Sequence, residues 1–170
     1  MEQAAHQEKS HAAFSSVLWS AFLTGIKLWA GIVTGSLGII SEALHSGLDL
    51  MAAAMTFYAV KVAARPADES HPYGHEKVEN LSALAETALL LITCAWIVWE
   101  AVDRLFYNEA EITLTWWAFA VVAVSLLVDV NRSAMLRRVA KKHKSQALEA
   151  DALHFTTDIW SSAVVLLGLF

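Results

Sequence analysis

Cysteine, proline, glycine and charge are all scarce in this chain. A single cysteine, Cys94, excludes a disulfide scaffold and a cysteine-rich zinc site. Its place inside an apolar run reads as a small buried hydrophobe. Lys and Arg together number 12 against 17 Asp and Glu, so the chain lacks the basic surface with which nucleic-acid binders neutralise phosphates. What is abundant is apolar: 56% of the 170 residues are hydrophobic and only 17% are charged, a balance that excludes disorder. A membrane helix needs about 20 mostly apolar residues, so five would use about 100 positions and leave room only for short connectors.

The apolar stretches fall at about 12–33, 37–61, 78–104, 112–135 and 146–170. The expected fold is therefore an all-α membrane protein, a polytopic transmembrane helix bundle with five spans. Thr34-Gly35-Ser36 offers small turn-forming residues for a tight hairpin between the first two. A polar stretch from Arg65 to Lys77 separates the second and third, and an acidic connector the third and fourth. The fifth is amphipathic at first and apolar from Ile159 onward, and its apolar end reads as that of a transmembrane part that continues. The N-terminus lacks the basic start and cleavage site of a secretory signal, so the first span is expected to be retained. Ten of the 12 basic residues fall on one side of this arrangement, with Arg104 on the other. The positive-inside rule then predicts a cytoplasmic N-terminus and an outer location for residue 170 in the plasma (inner) membrane. Topology explains the basic run Arg137–Lys144, with anionic lipid contact as a second reading.

An internal repeat is the most informative feature. Glu42-Ala-Leu-His45-Ser-Gly-Leu-Asp49 recurs as Asp151-Ala-Leu-His154-Phe-Thr-Thr-Asp158. On a helix, positions i and i+4 share a face, so His45 with Asp49, and His154 with Asp158, each present an imidazole and a carboxylate to one spot. At 1.5 Å per residue, His45 and Asp49 lie about 13 and 19 Å below the outer surface. His154 and Asp158 lie about 12 and 18 Å above the inner one, so both pairs approach the middle of a layer about 30 Å thick. Ionisable residues at that depth are costly and usually mark a pathway or a site. A buried polar network that only locks helices together is the bland alternative. Two nitrogens and two carboxylates without thiols suit a tetrahedral borderline cation: zinc first, with iron(II), cobalt or cadmium next.

These residues resemble those of the cation diffusion facilitators, proton-coupled exporters of divalent metal. The resemblance runs through Ser36-Leu37-Gly38, His45-x-x-x-Asp49, the loop His71-Pro-Tyr-Gly-His75-Glu-Lys77, and His154-x-x-x-Asp158. It implies a homodimer with six spans and a cytoplasmic metal-binding domain, of which the sixth span and that domain lie outside these 170 residues. It also implies that His45, Asp49, His154 and Asp158 form the transport site and favour zinc. A second metal position is implied at Asp68-x-x-His71-x-x-x-His75. The residues alone leave that loop open, because His71 precedes Pro72 and exposed loops collect solvated histidines.

Other polar groups have competing readings. Glu42 and Asp151, each three residues before a histidine, are candidates to orient the imidazoles or to guard access. Lys27 and Glu42 face each other across the first hairpin, so a structural Lys27/Glu42 ion pair is an equal expectation. Asp129 and Arg132, one turn apart, read as an interfacial pair; Glu86 stays undecided between pairing and lining a cavity. The function expected is export of a divalent cation, most simply zinc, in exchange for protons by alternating access. Two rivals are an intramembrane zinc hydrolase, which lacks a His-Glu-x-x-His helix, and a helical assembly protein that transports nothing.

Overall fold

The computed structural model describes residues 2–35, 37–107 and 116–168; the side chains of Glu42, Arg104 and some others within helices lie outside the description. Among the described residues the chain forms five helices and no strand: α1 (Glu2–Thr34), α2 (Leu37–Ala63), α3 (Lys77–Tyr107), α4 (Trp116–His143) and α5 (Gln146–Gly168). Ser36 of the expected hairpin, the acidic connector at 108–115 and residues 169–170 lie outside that description.

Helix ends and apolar ends do not coincide. α1 starts at Glu2, well before the apolar stretch at 12, and α4 continues through the basic run to His143. Ala, Gln, Lys and Arg dominate these extensions and are good helix formers, so the backbone continues where hydropathy stops. Gly35, at φ 64°, ends α1 in the left-handed region that costs glycine nothing. At the far end of α4, Lys144 takes the same conformation, at φ 51°, without being glycine. The Ser145 amide then returns to the Ala140 carbonyl, and the Ser145 hydroxyl faces the Leu148 amide at 3.4 Å, capping α5. Replacing Lys144 by glycine should therefore stabilise the chain by about 1 kcal/mol, read as a rise of about 2–4 °C in thermal unfolding.

α1 packs chiefly on α2, and α4 on α5; α3 leans on α2 and α5, and α1 also touches α4. At one end of the bundle Ala12, Ala13, Val60, Leu136, Val139, Ala140, Ala147, Leu148, Ala152 and Phe155 form the apolar core. Its many alanines let the backbones approach closely. Gly31 serves the same purpose at the other end of the α1–α2 pair, where an added Cβ would stand 2.8 Å from Ile40 Cγ1.

Beyond that core the polarity is inverted relative to a water-soluble bundle. Trp19, Phe22, Trp29 and Ile32 of α1, and Leu84, Leu91, Trp96 and Trp99 of α3, point outward. Ser16, Ser20, Lys27, Thr56, Glu86, Arg132, Asp151 and His154 are buried. Large exposed apolar surface around a polar interior fits a hydrocarbon environment. Within the described residues two helices contain stretches long and apolar enough to cross a membrane, Gln3–Thr34 and Lys77–Trp96. Cys94 corrects the expectation of burial: it lies exposed on α3. Where the exterior itself is apolar, a small hydrophobe has no reason to turn inward.

Candidate metal centre

The i, i+4 spacing puts His154 and Asp158 on one face of α5, and that face meets Asp49 of α2. The His154 Nε2 atom stands 3.0 Å from Asp49 Oδ1 and 3.7 Å from Asp158 Oδ2. Asp49, His154 and Asp158 each bring one ligand atom within 4.8 Å of the others, a spacing at which one cation could be shared. His45 stands at the margin, its Nε2 4.0 Å from Asp158 Oδ1. His154 is buried, Asp49 and Asp158 are partly so, and His45 keeps about a third of its side-chain surface. The cluster therefore grades from a closed end at His154 to a more open one at His45. His154 Nδ1 is buried without a hydrogen-bond partner, and the ring is fixed by an edge-on contact with Phe155.

The second group lies in the polar loop, outside the spans. Asp68 Oδ1 accepts from the amides of Ser70 and His71 and from the Ser70 hydroxyl, folding the loop about that carboxylate. The Ser70 hydroxyl bond first, and the His71 amide next, hold the Asp68 carboxyl down at about 2, below the usual carboxylate range. It is thus ionised throughout neutral and mildly acid conditions. His71 Nδ1 is 3.3 Å from Asp68 Oδ1, His75 Nε2 is 3.4 Å from Asp68 Oδ2, and the two rings are 4.4 Å apart. Gly74, at φ 81°, makes the turn that brings His75 back. His75 is buried whereas Asp68 and His71 are half exposed.

Several expectations change once side chains are placed. Asp151 makes no hydrogen bond to an imidazole among the described residues, and it is closed off within this chain. It has no exposed surface, and its Oδ2 accepts from the Ser16 hydroxyl at 3.0 Å. A carboxylate stripped of water needs such partners; Ser16 on α1 serves one oxygen, and Oδ1 is buried without a hydrogen bond. Arg132 does pair with Asp129, at 3.8 Å, but its side chain is buried in the bundle, where its Nη2 also reaches the Ser16 carbonyl and the Ser16 and Ser20 hydroxyls at 2.9, 2.8 and 2.7 Å. Lys27 is buried and donates to the Ser46 hydroxyl at 2.7 Å; the Glu42 side chain, and with it the expected Lys27/Glu42 pair, lies outside the described residues. Glu86 proves to be interior, accepting from Thr56 and Ser82 through one oxygen.

An apolar helical exterior around buried carboxylates and imidazoles fits the class of membrane proteins that handle cations. Within it the chain belongs to the cation diffusion facilitator family: the family model described as "Cation efflux transmembrane domain" matches residues 13–170. It is similar to an uncharacterized transporter of Synechocystis sp., 37% identical over 146 residues, which are 85% of this chain and 46% of that protein. An uncharacterized transporter of Methanocaldococcus jannaschii is 36% identical over 155 residues, 91% of this chain and 54% of that protein. The cation-efflux pump FieF of Shewanella oneidensis is 30% identical over 158 residues, 93% and 53% of the two chains. The chain spans about half the length of the curated relatives it matches.

Proposed function

We propose that the chain carries the metal path of an exporter that moves a divalent cation, zinc first, out of the cytoplasm in exchange for protons. The meeting of Asp49, His154 and Asp158 across two facing helices, with His45 alongside, supports the reading above all. In it, all five helices cross the membrane with the N-terminus in the cytoplasm. The transporter works as a homodimer, and its sixth span and cytoplasmic domain lie beyond the matched half.

The exchange follows from ligand chemistry. Metal takes neutral imidazoles and ionised carboxylates, so binding expels protons, and a higher proton activity outside returns them and expels the metal. Rocking of α5 against α2 would present the same cluster to either side. Zinc is favoured by two imidazoles with two carboxylates and no thiolate; cadmium, cobalt and iron(II) follow. A zinc hydrolase is not favoured, since the sequence has no His-Glu-x-x-His helix and the chain belongs to a cation-efflux family.

Zinc flux into proteoliposomes under an imposed pH gradient tests the whole reading. Uptake should follow the gradient, reverse with its sign and carry protons the other way; flux indifferent to the gradient would remove the coupling. At the loop, replacing His71 and His75 together by alanine should delete one zinc-binding event in a calorimetric titration and leave the interior one. An unchanged stoichiometry would return that loop to ordinary surface chemistry.

A further inference from the structure

We infer that Arg132 is a resident positive charge that weakens the interior site's hold on a divalent cation, setting its affinity low enough for release. The inference rests on the proposed reading of Asp49, His154 and Asp158 as that site.

Arg132 is 4% exposed and lies where three helices meet. Beyond its bonds to Ser16 and Ser20 on α1, its guanidinium carbon sits 3.7 Å over the ring of Phe155, the residue that follows His154 on α5. The Ser16 hydroxyl joins it to Asp151, one turn before His154, by accepting from Arg132 and donating to Asp151. Its electrostatic neighbours are Asp151 and Asp129 first, then Asp49 and Asp158. Two partly buried carboxylates of the metal cluster therefore lie within the field of one buried guanidinium.

A helix fastener needs no charge at this position, because a neutral amide can also donate to Ser16 and Ser20, though less strongly. Burying a guanidinium is costly unless it is well compensated. What it adds is permanence. Imidazoles and carboxylates in the cluster exchange protons, whereas guanidinium does not. Arg132 thus offers the site carboxylates a counter-charge whether or not metal is present, and it repels every cation that arrives. At separations of about 10 Å in a medium of effective dielectric about 20, a single charge facing a divalent ion changes its affinity by at least about tenfold. Asp151 and Asp129, the nearest acids, partly mask that charge, so they oppose the effect.

Two substitutions should move the affinity in opposite directions. Arg132→Gln keeps donors for Ser16 and Ser20 but removes the charge: zinc should bind at least about tenfold more tightly and leave more slowly in a chelator chase. Arg132→Lys, which keeps the charge, should stay within about threefold of the parent. Asp151→Asn unmasks the guanidinium and should weaken zinc binding by several-fold, although Asp151 is not a ligand. Binding is measured by calorimetry on the full chain in detergent, with circular dichroism as the check of folding. A purely structural Arg132 predicts weaker or unchanged binding in the glutamine variant, and that result overturns the proposal. If the glutamine variant does not fold, the asparagine variant decides, and an affinity equal to or tighter than the parent's sinks it. Failure of the site reading looks different: Asp49→Ala would then bind zinc like the parent.

Discussion

Replacing Asp49 or His154 by alanine should abolish high-affinity zinc binding while leaving helix content intact. The loss of an outer partner to a metal ligand typically costs about 10–100-fold in affinity, so removing a direct ligand should cost more than about a hundredfold. His154 should be the more damaging position. Its Nε2 lies within reach of both carboxylates, whereas Asp49 meets the cluster from one side only. Calorimetric titration of each variant measures the effect, and a variant that titrates like the parent would dissolve the four-ligand site. His45, at the open edge, should govern choice more than strength. His45→Asp exchanges a nitrogen for an oxygen and should relax discrimination against cadmium.

The second large effect concerns a clamp at the opposite end of α5. Lys9 Nζ lies 2.5 Å from Glu79 Oε1, with 11% and 7% of the two side chains exposed, and the Ser145 hydroxyl donates to the other Glu79 oxygen. One carboxylate thus ties the start of α1, the first turns of α3 and the cap of α5. Glu79→Ala leaves an ammonium buried without its partner, a change that costs about 3–5 kcal/mol, or about 10 °C for a chain of this size. The double variant Lys9→Met, Glu79→Leu should regain most of that, because an absent pair costs far less than half of one. Thermal unfolding of the three proteins checks this. A double variant as unstable as Glu79→Ala alone would mean that shape, not charge, holds the clamp.

Interactions within one helix were the legible part of this chain. The His-x-x-x-Asp repeat needs only the helical period to declare two half-sites, and the turn at Gly35 needs only its residue type. Contacts between helices were legible only where the repeat matched in depth, at Asp49, His154 and Asp158; elsewhere they were not. For Arg132 the sequence showed only its neighbour Asp129, one turn away, while its further partners, Ser16 and Ser20, sit on α1, more than a hundred positions away. For Asp151 the spacing from His154 suggested an outer partner, but it carried no sign of the Ser16 hydroxyl that α1 supplies. The Lys9–Glu79 clamp gave no local signal at all. Hydropathy located apolar stretches and missed helix ends, because good helix formers extend α1 and α4 into polar sequence.

The hydrogen bond between His154 and Asp49 lies on the atoms a metal would claim, Nε2 and Oδ1, 3.0 Å apart. A shared proton and a cation are therefore alternative occupants of one gap, each bridging α2 to α5. Exchanging them swaps one spacer for another, so the two helices can stay in register through the change of cargo. In the exchange proposed above, the proton would be a placeholder that keeps the jaws at working width until the next ion comes.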